Sequence, residues 1–256
     1  MLTKRLKYAK IMRIPQINGL ETTMKKILDY FTRTELFIWL TSVGMITLSF
    51  LIFENGGCLT LIASIIGVTS IMINAKGNPL GQLMMIFFSL IYGYISYSFA
   101  YYGEMMTYLG MTMPMAIFSL AAWLKNPFNG NRSEVKVNTV SKNELCFLGI
   151  LTIAVTVVFF FILRYFGTAN LIPSTFSVTT SFIAVYLTFR RSAYFSIAYA
   201  ANDTVLIVLW LLAARSDRSY ISVVICFVMF LVNDIYAFKS WLKMKDRQSA
   251  AEPQTT

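Results

Sequence analysis

The stretch that organises the chain is residues 78–125, NPLGQLMMIFFSLIYGYISYSFAYYGEMMTYLGMTMPMAIFSLAAWLK. It predicts two apolar helices joined by a tight turn at Tyr102, Gly103 and Glu104. A similar stretch returns at residues 191–243, RSAYFSIAYAANDTVLIVLWLLAARSDRSYISVVICFVMFLVNDIYAFKSWLK. Each stretch has an apolar helix dotted with polar side chains, a short polar turn, a second apolar helix and a closing Trp-Leu-Lys. The two stretches predict a membrane protein built from two similar halves.

Composition sets the class. Hydrophobic residues make up 57 % of the chain and charged residues 13 %, whereas a soluble domain carries about 25 % charged residues. Apolar runs of roughly 20 residues, each long enough to cross a bilayer core of ~30 Å, recur along the chain. We therefore predict an all-α integral membrane protein. The polar, basic opening residues indicate no cleavable signal peptide, and the lack of histidine and of paired cysteines predicts no metal and no cofactor.

Eight spans are predicted, at residues 36–53, 58–75, 81–102, 105–124, 145–166, 172–189, 193–214 and 219–242. Pro114 lies inside the fourth span and should kink it. Of the 22 basic residues, only Arg164, Arg215 and Arg218 fall on the side opposite the N-terminus. The positive-inside rule then places both termini in the cytosol.

The two halves predict an internal repeat. Spans two to four match spans six to eight in order and direction, span five links them, and span one is extra. This is a 3+1+3 core of two parallel triple-helix repeats, an arrangement of transporters whose site lies between the halves. The alternative is that apolar helices resemble one another without a repeat. The chain is predicted to divide into six parts. The first three are a cytosolic basic arm (1–35) with a short interfacial helix near residues 23–30, the extra first span (36–56) and repeat one (57–125). The last three are a cytosolic loop with the linker span (126–171), repeat two (172–243) and a cytosolic tail (244–256) that is expected to be disordered from residue 246.

Polar side chains inside the spans mark the candidate site, because polar groups at membrane depth face the bundle or a wet cavity. The candidates are Gln82, Tyr92, Tyr97, Asn202, Asp203, Trp210, Asn233 and Tyr236. Amides match a carboxamide or ribose hydroxyls, aromatic faces stack on flat rings and attract cations, and Asp203 and Asp234 could offset a positive ligand. The set suits a planar polar heterocycle with a sugar better than a simple ion. The alternative is structural, with both aspartates bonded to a helix backbone or to an asparagine.

Three segments resemble the PnuC vitamin transporters of bacteria. AANDTVLIVLW at residues 200–210 and SYISVVICFVMFLVNDIYAFKSW at residues 219–241 resemble the second half of that family, and NPLGQLMMIFFSLIYGYISY at residues 78–97 resembles its first half. The similarity runs over residues 58–243. The resemblance implies a 3+1+3 fold related to SWEET sugar transporters, homo-oligomers, and a location in the inner membrane of a bacterial cell. It also implies facilitated diffusion of a vitamin precursor, most often nicotinamide riboside, which a separate cytosolic kinase traps without a required complex. It implies substrate contacts at Gln82, Tyr92, Asn202 and Asn233.

The leading hypothesis is a uniporter for nicotinamide riboside in the lipid bilayer. The pyridinium would stack on Tyr92, Tyr97 or Trp210, the carboxamide would pair with Asn202 or Gln82, and the ribose would pair with Asn233. The core has few tryptophans, which leaves thiamine, riboflavin or nicotinamide mononucleotide as alternatives on the same fold. A proton-coupled symporter using Asp203 and Asp234 is a further alternative. An enzyme is disfavoured because the chain has no histidine, cysteine pair or metal-ligand cluster. A sensor is also disfavoured, because it would need a soluble output domain. The chain has no P-loop that would bind ATP. No nucleic-acid partner is expected.

Overall fold

The computed structural model describes residues 30–53, 57–98, 102–168 and 170–251. Within them the prediction of eight helical spans is confirmed: α1 Arg33–Phe53, α2 Cys58–Asn74, α3 Leu80–Ser98, α4 Tyr102–Lys125, α5 Lys142–Tyr165, α6 Leu171–Phe189, α7 Phe195–Ala214 and α8 Ile221–Ala251. Seven of these stretches are long and apolar enough to cross a membrane, and α2 is a shorter apolar helix of 17 residues. The predicted basic arm and interfacial helix lie almost wholly outside the described residues.

The described residues divide into two compact units, one that ends at Leu40 and one that begins at Thr41. In the first unit, Thr32 and Glu35 form a reciprocal capping box at the start of α1, with the Thr32 amide donating to Glu35 and the Glu35 amide donating to Thr32. In the second unit α2 packs on α3 and α8, α4 packs on α3 and α6, and α7 packs on α6 and α8. The helix α5 packs on α6, as a linker span would.

The start of α4 differs from the prediction. Tyr102, Gly103 and Glu104 form the first turn of α4 rather than a turn between helices. Gly103 lies so close to α5 that a Cβ atom there would be 2.5 Å from the Thr168 hydroxyl. Glu104 stands where the helix dipole favours an acidic side chain. Close packing and the helix dipole therefore favour a helical conformation for these polar residues.

The predicted kink at Pro114 takes the form of a wide turn just before it. Pro114 has no N–H to bond the carbonyl four residues earlier, and residues Tyr108–Thr112 form a π-helical turn. The Thr112 hydroxyl donates to the Thr107 carbonyl at 3.2 Å. Such widened turns re-aim side chains and are frequent at functional sites.

The polar loop after α4 holds a small hairpin, with β1 Pro127–Phe128 paired to β2 Asn131–Val135. Asn129 and Gly130 both have positive φ, at 48° and 78°, as the tight hairpin turn of an Asn-Gly pair requires. The segment after it ties together the ends of α2 and α6. The Val135 amide donates to the Gly77 carbonyl and the Asn138 amide donates to the Arg191 carbonyl, both at 2.9 Å.

The expected disordered tail is wrong for residues 246–251, which continue α8. The reason is Gln248, which is 4 % exposed. Its amide nitrogen donates to the Val135 carbonyl at 3.0 Å, and its amide oxygen accepts from the Val137 amide at 2.8 Å. Arg247 also pairs with Glu134. These contacts order a polar sequence that local composition marks as disordered.

Two tryptophans join the helices of the two predicted repeats. Trp123 in α4 donates its indole N–H to the Thr188 carbonyl at 2.9 Å, and Trp241 in α8 donates to the Asn74 carbonyl at 2.8 Å. Both rings are fully buried, with centroids 5.4 Å apart. Phe195 packs on Trp241 with a centroid distance of 4.8 Å. We call Trp123, Phe195 and Trp241 the aromatic plug, and the end of the bundle that holds them the tryptophan end. Reciprocal bonds are what two related halves would make, and the repeat itself remains a prediction.

Removing either indole N–H should destabilise the fold. Trp123→Phe and Trp241→Phe each remove one buried hydrogen bond, which contributes about 0.5–1.5 kcal/mol, while the carbonyl keeps a backbone N–H donor from Arg191 or Gly77. We expect each variant to lower the apparent melting temperature in detergent. Tyr165→Phe, at a ring that is 85 % exposed, is the control and should melt like the unsubstituted protein. Unchanged melting of both tryptophan variants would contradict this role.

Candidate functional site

A central cavity lies between the helices of the two predicted repeats. It encloses about 1100 Å³ of space free of protein atoms, its open part included. Its lining residues are Gly67, Ile71, Asn74, Met85, Phe88, Gly103, Glu104, Thr107, Tyr108, Thr112, Leu163, Thr168, Ser174, Ser177, Val178, Ser181, Phe195, Tyr199, Asn202, Asp203, Leu206, Leu209, Trp210, Phe227, Phe230 and Asp234.

The cavity has a closed end and an open end. At the tryptophan end its floor is Phe195, backed by the rest of the aromatic plug. At the opposite end, which we call the mouth, Glu104, Thr168 and Trp210 line both the cavity and a second, more open space. Trp210 packs there against Tyr220, with ring centroids 5.3 Å apart. The cavity is therefore reached from the mouth.

Aromatic rings form much of the cavity wall. Phe88 in α3 packs edge-on against Tyr108 in α4 at 5.9 Å and against Phe230 in α8 at 6.2 Å. A Cβ atom at Gly67 would be 2.7 Å from the Phe230 ring, so the glycine is what lets α2 approach. Trp210 adds a ring beside the mouth. Flat rings of this kind stack on planar ligands and attract cations.

An amide on α7 supplies an oriented donor. Asn202 is 7 % exposed, and its Oδ1 accepts from the Thr180 hydroxyl at 2.9 Å and, at the limit of a hydrogen bond, from Ser177 at 3.5 Å. The amide oxygen is thus occupied by α6. This leaves Nδ2 as the Asn202 atom that can donate to a ligand.

The charge in the cavity is of one sign. Glu104, Asp203 and Asp234 line it, and no lysine or arginine does so among the residues the structure describes. Asp203 and Asp234 are buried, at 3 % and 4 % exposed. The cavity therefore suits a positive ligand.

The sequence-predicted site residues separate into two groups. Asn202, Asp203 and Trp210 all line the cavity. The other five do not, although Tyr92 lies directly behind the wall, with its ring 5.0 Å from both Phe88 and Tyr108.

Two of those five are bonded elsewhere in the bundle. Gln82 donates to Asn74 Oδ1 at 2.9 Å, so it orients a lining residue without lining the cavity. Asn233 donates to the Ser42 hydroxyl of α1 and to the Met229 carbonyl, both at 2.7 Å. Tyr97 is 60 % exposed, and Tyr236 is partly exposed. For these residues the predicted substrate contacts remain predictions.

Sequence reasoning missed several lining residues. The sequence predicts a turn at Glu104. It does not mark Tyr108 as a lining residue, because the role of Tyr108 depends on the π turn. Ser174, Ser177 and Ser181 of α6 recur at helical spacing and share one face, so this pattern could have identified them. Asn74 follows an apolar run, and no pattern of spacing in the sequence identifies it as a lining residue.

Apolar helices packed around one central cavity that has an open mouth are the architecture of a membrane transporter. A family model described as nicotinamide mononucleotide transporter matches residues 57–243. The chain belongs to this family.

Known proteins agree with the class. A nicotinamide riboside transporter, PnuC, of Neisseria mucosa is 24 % identical over 216 residues, which cover 83 % of this chain and 82 % of the relative. The crystal structure of the vitamin B3 transporter PnuC has the same fold, with a TM-score of 0.73, 24 % identity, and coverage of 85 % of this chain and 94 % of that one. The family and these relatives are transporters and not enzymes.

The cavity's access and charge can be tested without a substrate. In a protein with Cys58, Cys146 and Cys226 replaced by serine, we expect a cysteine introduced as Thr107→Cys to react with thiosulfonate reagents from the mouth. The reaction rate with each reagent is divided by that reagent's rate with a free thiol in solution. This ratio should be higher for the cationic reagent than for the anionic one, because carboxyl groups surround the position. Ser119→Cys, at a site on the same helix that is 1 % exposed and does not line the cavity, should react slowly with both. A faster anionic reagent at Thr107→Cys would contradict the charge assignment.

Proposed function

We propose that this transporter imports nicotinamide riboside by facilitated diffusion, as a precursor for NAD biosynthesis. The observation that carries the proposal is the cavity with three carboxyl groups and no basic residue among its described lining. Nicotinamide riboside bears one positive charge, on a flat ring, and carries neutral hydroxyls and a neutral carboxamide. The relative from Neisseria mucosa is named for the same substrate.

The substrate pose follows from the wall chemistry. The pyridinium ring lies against Tyr108 and Trp210 with its positive charge toward Asp203 and Asp234. Asn202 donates through Nδ2 to the carboxamide oxygen, because its own oxygen is held by Thr180. The α6 serines meet the ribose hydroxyls, which both donate and accept.

The same wall disfavours nicotinamide mononucleotide. Its phosphate would enter a buried, acidic site that offers no arginine or lysine among the described lining residues. An unpaired phosphate removed from water is costly, and phosphate sites usually supply basic side chains. The charge argument thus separates the riboside from the phosphate form for which the family model is named.

Orientation and driving force complete the proposal. The predicted excess of basic residues at the tryptophan end places that end and both termini in the cytosol of a bacterial inner membrane, so the described cavity faces outward. The two halves rock about the site to open the aromatic plug and close the mouth. The substrate gradient drives passage, and a cytosolic kinase maintains it without a required complex. The transporter works as a homo-oligomer in the bilayer.

Ligand selectivity tests the substrate assignment. Purified protein in detergent should bind nicotinamide riboside in calorimetry and should bind nicotinamide mononucleotide at least about 100-fold more weakly, a loss of roughly 2.7 kcal/mol. The reduced, uncharged dihydronicotinamide riboside has nearly the same shape and should also bind more weakly, because it lacks the positive charge. Riboflavin should not compete. Tighter binding of the mononucleotide or of riboflavin would refute the assignment, and tighter binding of thiamine would reassign the cationic site to that vitamin.

The orienting bond to Asn202 can be tested with a matched pair of variants. Thr180→Val keeps the side-chain shape but removes the hydroxyl that fixes the Asn202 amide, and we expect it to weaken binding of nicotinamide riboside about 3- to 10-fold, as loss of one neutral hydrogen bond does. Thr180→Ser keeps the hydroxyl and should bind nearly as the unsubstituted protein. Asn202→Ala should abolish uptake into cells while the protein remains in the membrane. Normal uptake by that variant would contradict the role of Asn202.

A further inference from the structure

A second cleft lies at the tryptophan end, outside the central cavity. It is walled by the turn after α2, by strand β2 and by the last turns of α8. Its α8 residues are Ser240 and the residues three, four and seven positions after it, so they share one face of the helix. None of the lining residues belongs to the central cavity. We call this site the basic cleft, and its lining residues are Lys76, Glu134, Ser240, Lys243, Met244 and Arg247.

Buried contacts hold the three walls of the basic cleft together. The Val135 amide of β2 donates to the Gly77 carbonyl of the turn at 2.9 Å. The buried side chain of Gln248 in α8 donates to the Val135 carbonyl at 3.0 Å. Gly77 has a φ of 67°, and a Cβ atom there would be 3.1 Å from Met244, so a glycine lets the turn lie against α8. The basic cleft is therefore shaped by the fold before any ligand arrives.

Basic side chains outnumber acidic ones in the basic cleft by three to one. The acidic side chain, Glu134, accepts from Gln248 at 2.8 Å and pairs with Arg247. Lys243 is exposed and pairs with no acidic group among the described residues. The Ser240 hydroxyl adds a neutral donor beside these charges. The cleft therefore holds more positive charge and more hydrogen-bond donors than the described fold uses.

Basic residues on one side of a membrane protein have a simpler explanation, since such residues set its orientation. Orientation needs only charge, wherever along the segment the charge lies. Here basic side chains from two separate elements and a hydroxyl converge on one cleft. Several donors around one point match the oxygens of a phosphate group, which accept charge-assisted hydrogen bonds from lysine and arginine. A carboxylate has fewer oxygens with which to use the same donors.

We propose that the basic cleft binds a phosphate group, carried by a soluble phosphate compound or by an anionic lipid headgroup, and that the bound phosphate favours the state with the aromatic plug closed. A phosphate held by Lys76 and Lys243 joins the end of α2 to α8. The Trp241 indole joins the same two helices at the Asn74 carbonyl.

The effect on the plug follows from where the cleft lies. In the proposed function the two halves separate at the tryptophan end, which would pull the walls of the basic cleft apart. A ligand that binds one state more tightly shifts the population toward that state. The effect on the plug therefore rests on the proposed function, whereas the phosphate site does not.

Binding is tested first with inorganic phosphate, added to the purified protein in detergent at constant ionic strength. We expect the apparent melting temperature to rise with phosphate concentration, as it does for a ligand of the folded state. Lys243→Gln should raise the fitted dissociation constant about 3- to 10-fold, as loss of one partly solvated charge-assisted bond does. Lys243→Arg keeps the charge and should bind nearly as the unsubstituted protein. Lys239→Gln removes a charge from an exposed position of the same helix outside the cleft and should leave binding unchanged.

Native mass spectrometry distinguishes a lipid source. The protein is incubated with phosphatidylglycerol or with phosphatidylcholine, and the bound lipid is counted. A lipid site predicts retention of phosphatidylglycerol over phosphatidylcholine, lost in Lys243→Gln and kept in Lys239→Gln. Binding of inorganic phosphate without a preference for phosphatidylglycerol identifies a soluble phosphate compound as the ligand. Binding of neither probe, or equal losses in the two variants, overturns the site.

Uptake of nicotinamide riboside into phosphatidylcholine vesicles tests the effect on the plug. Inorganic phosphate is present at equal concentration on both sides, and at ten times its dissociation constant it should slow uptake by up to about tenfold. Lys243→Gln should be slowed less at that concentration. Vesicles with added phosphatidylglycerol test the lipid source in the same way.

The outcomes separate the three claims. Uptake that is unchanged or faster with both probes overturns the effect on the plug and leaves the site and the proposed function standing. Absence of uptake without either probe removes the proposed function and with it the effect on the plug, while the binding measurements still decide the site.

Discussion

The described part of this fold depends on two indole hydrogen bonds that link the helices of the two predicted repeats. Trp123 and Trp241 each donate to a carbonyl near the end of the first helix of the other predicted repeat. Each carbonyl also accepts a backbone N–H, from Arg191 or Gly77, so the indoles add a second donor that joins distant helices at the tryptophan end. With Phe195 the rings close the cavity there. The mouth is left as its entrance, and opening the other side requires both bonds to be remade.

Polar groups in the bundle follow from the same constraint. Many are bonded within the fold, as Gln82 is to Asn74 and the Asn233 amide nitrogen is to Ser42 and Met229. Asp203, whose buried Oδ2 has no partner among the described residues, and Asn202 both line the cavity. In the proposed function a ligand bonds to these groups, and the carboxyl groups of the cavity favour a cation over a phosphate.

Much of this could be predicted from the sequence, because helix number depends on long apolar runs and Asn202, Asp203 and Trp210 stand out as polar or aromatic residues within them. Gln82 and Asn233 stand out equally, and composition cannot tell a residue that orients a wall from one that forms it. Glu104 and Gln248 escaped prediction for another reason. Their positions depend on tertiary contacts, with Thr168 beside the first turn of α4 and with the loop after β2, which override local polarity.

The proposed function requires that a cationic nucleoside binds in the cavity beside Asp203 and Asp234. The most direct measurement is an experimental structure of the protein saturated with nicotinamide riboside. The account predicts the pyridinium ring between Tyr108 and Trp210, with its charge toward Asp203 and Asp234 and the aromatic plug or the mouth closed around it. Density for the ligand outside the cavity, or inside it with the ring turned away from both carboxyl groups, would contradict the account.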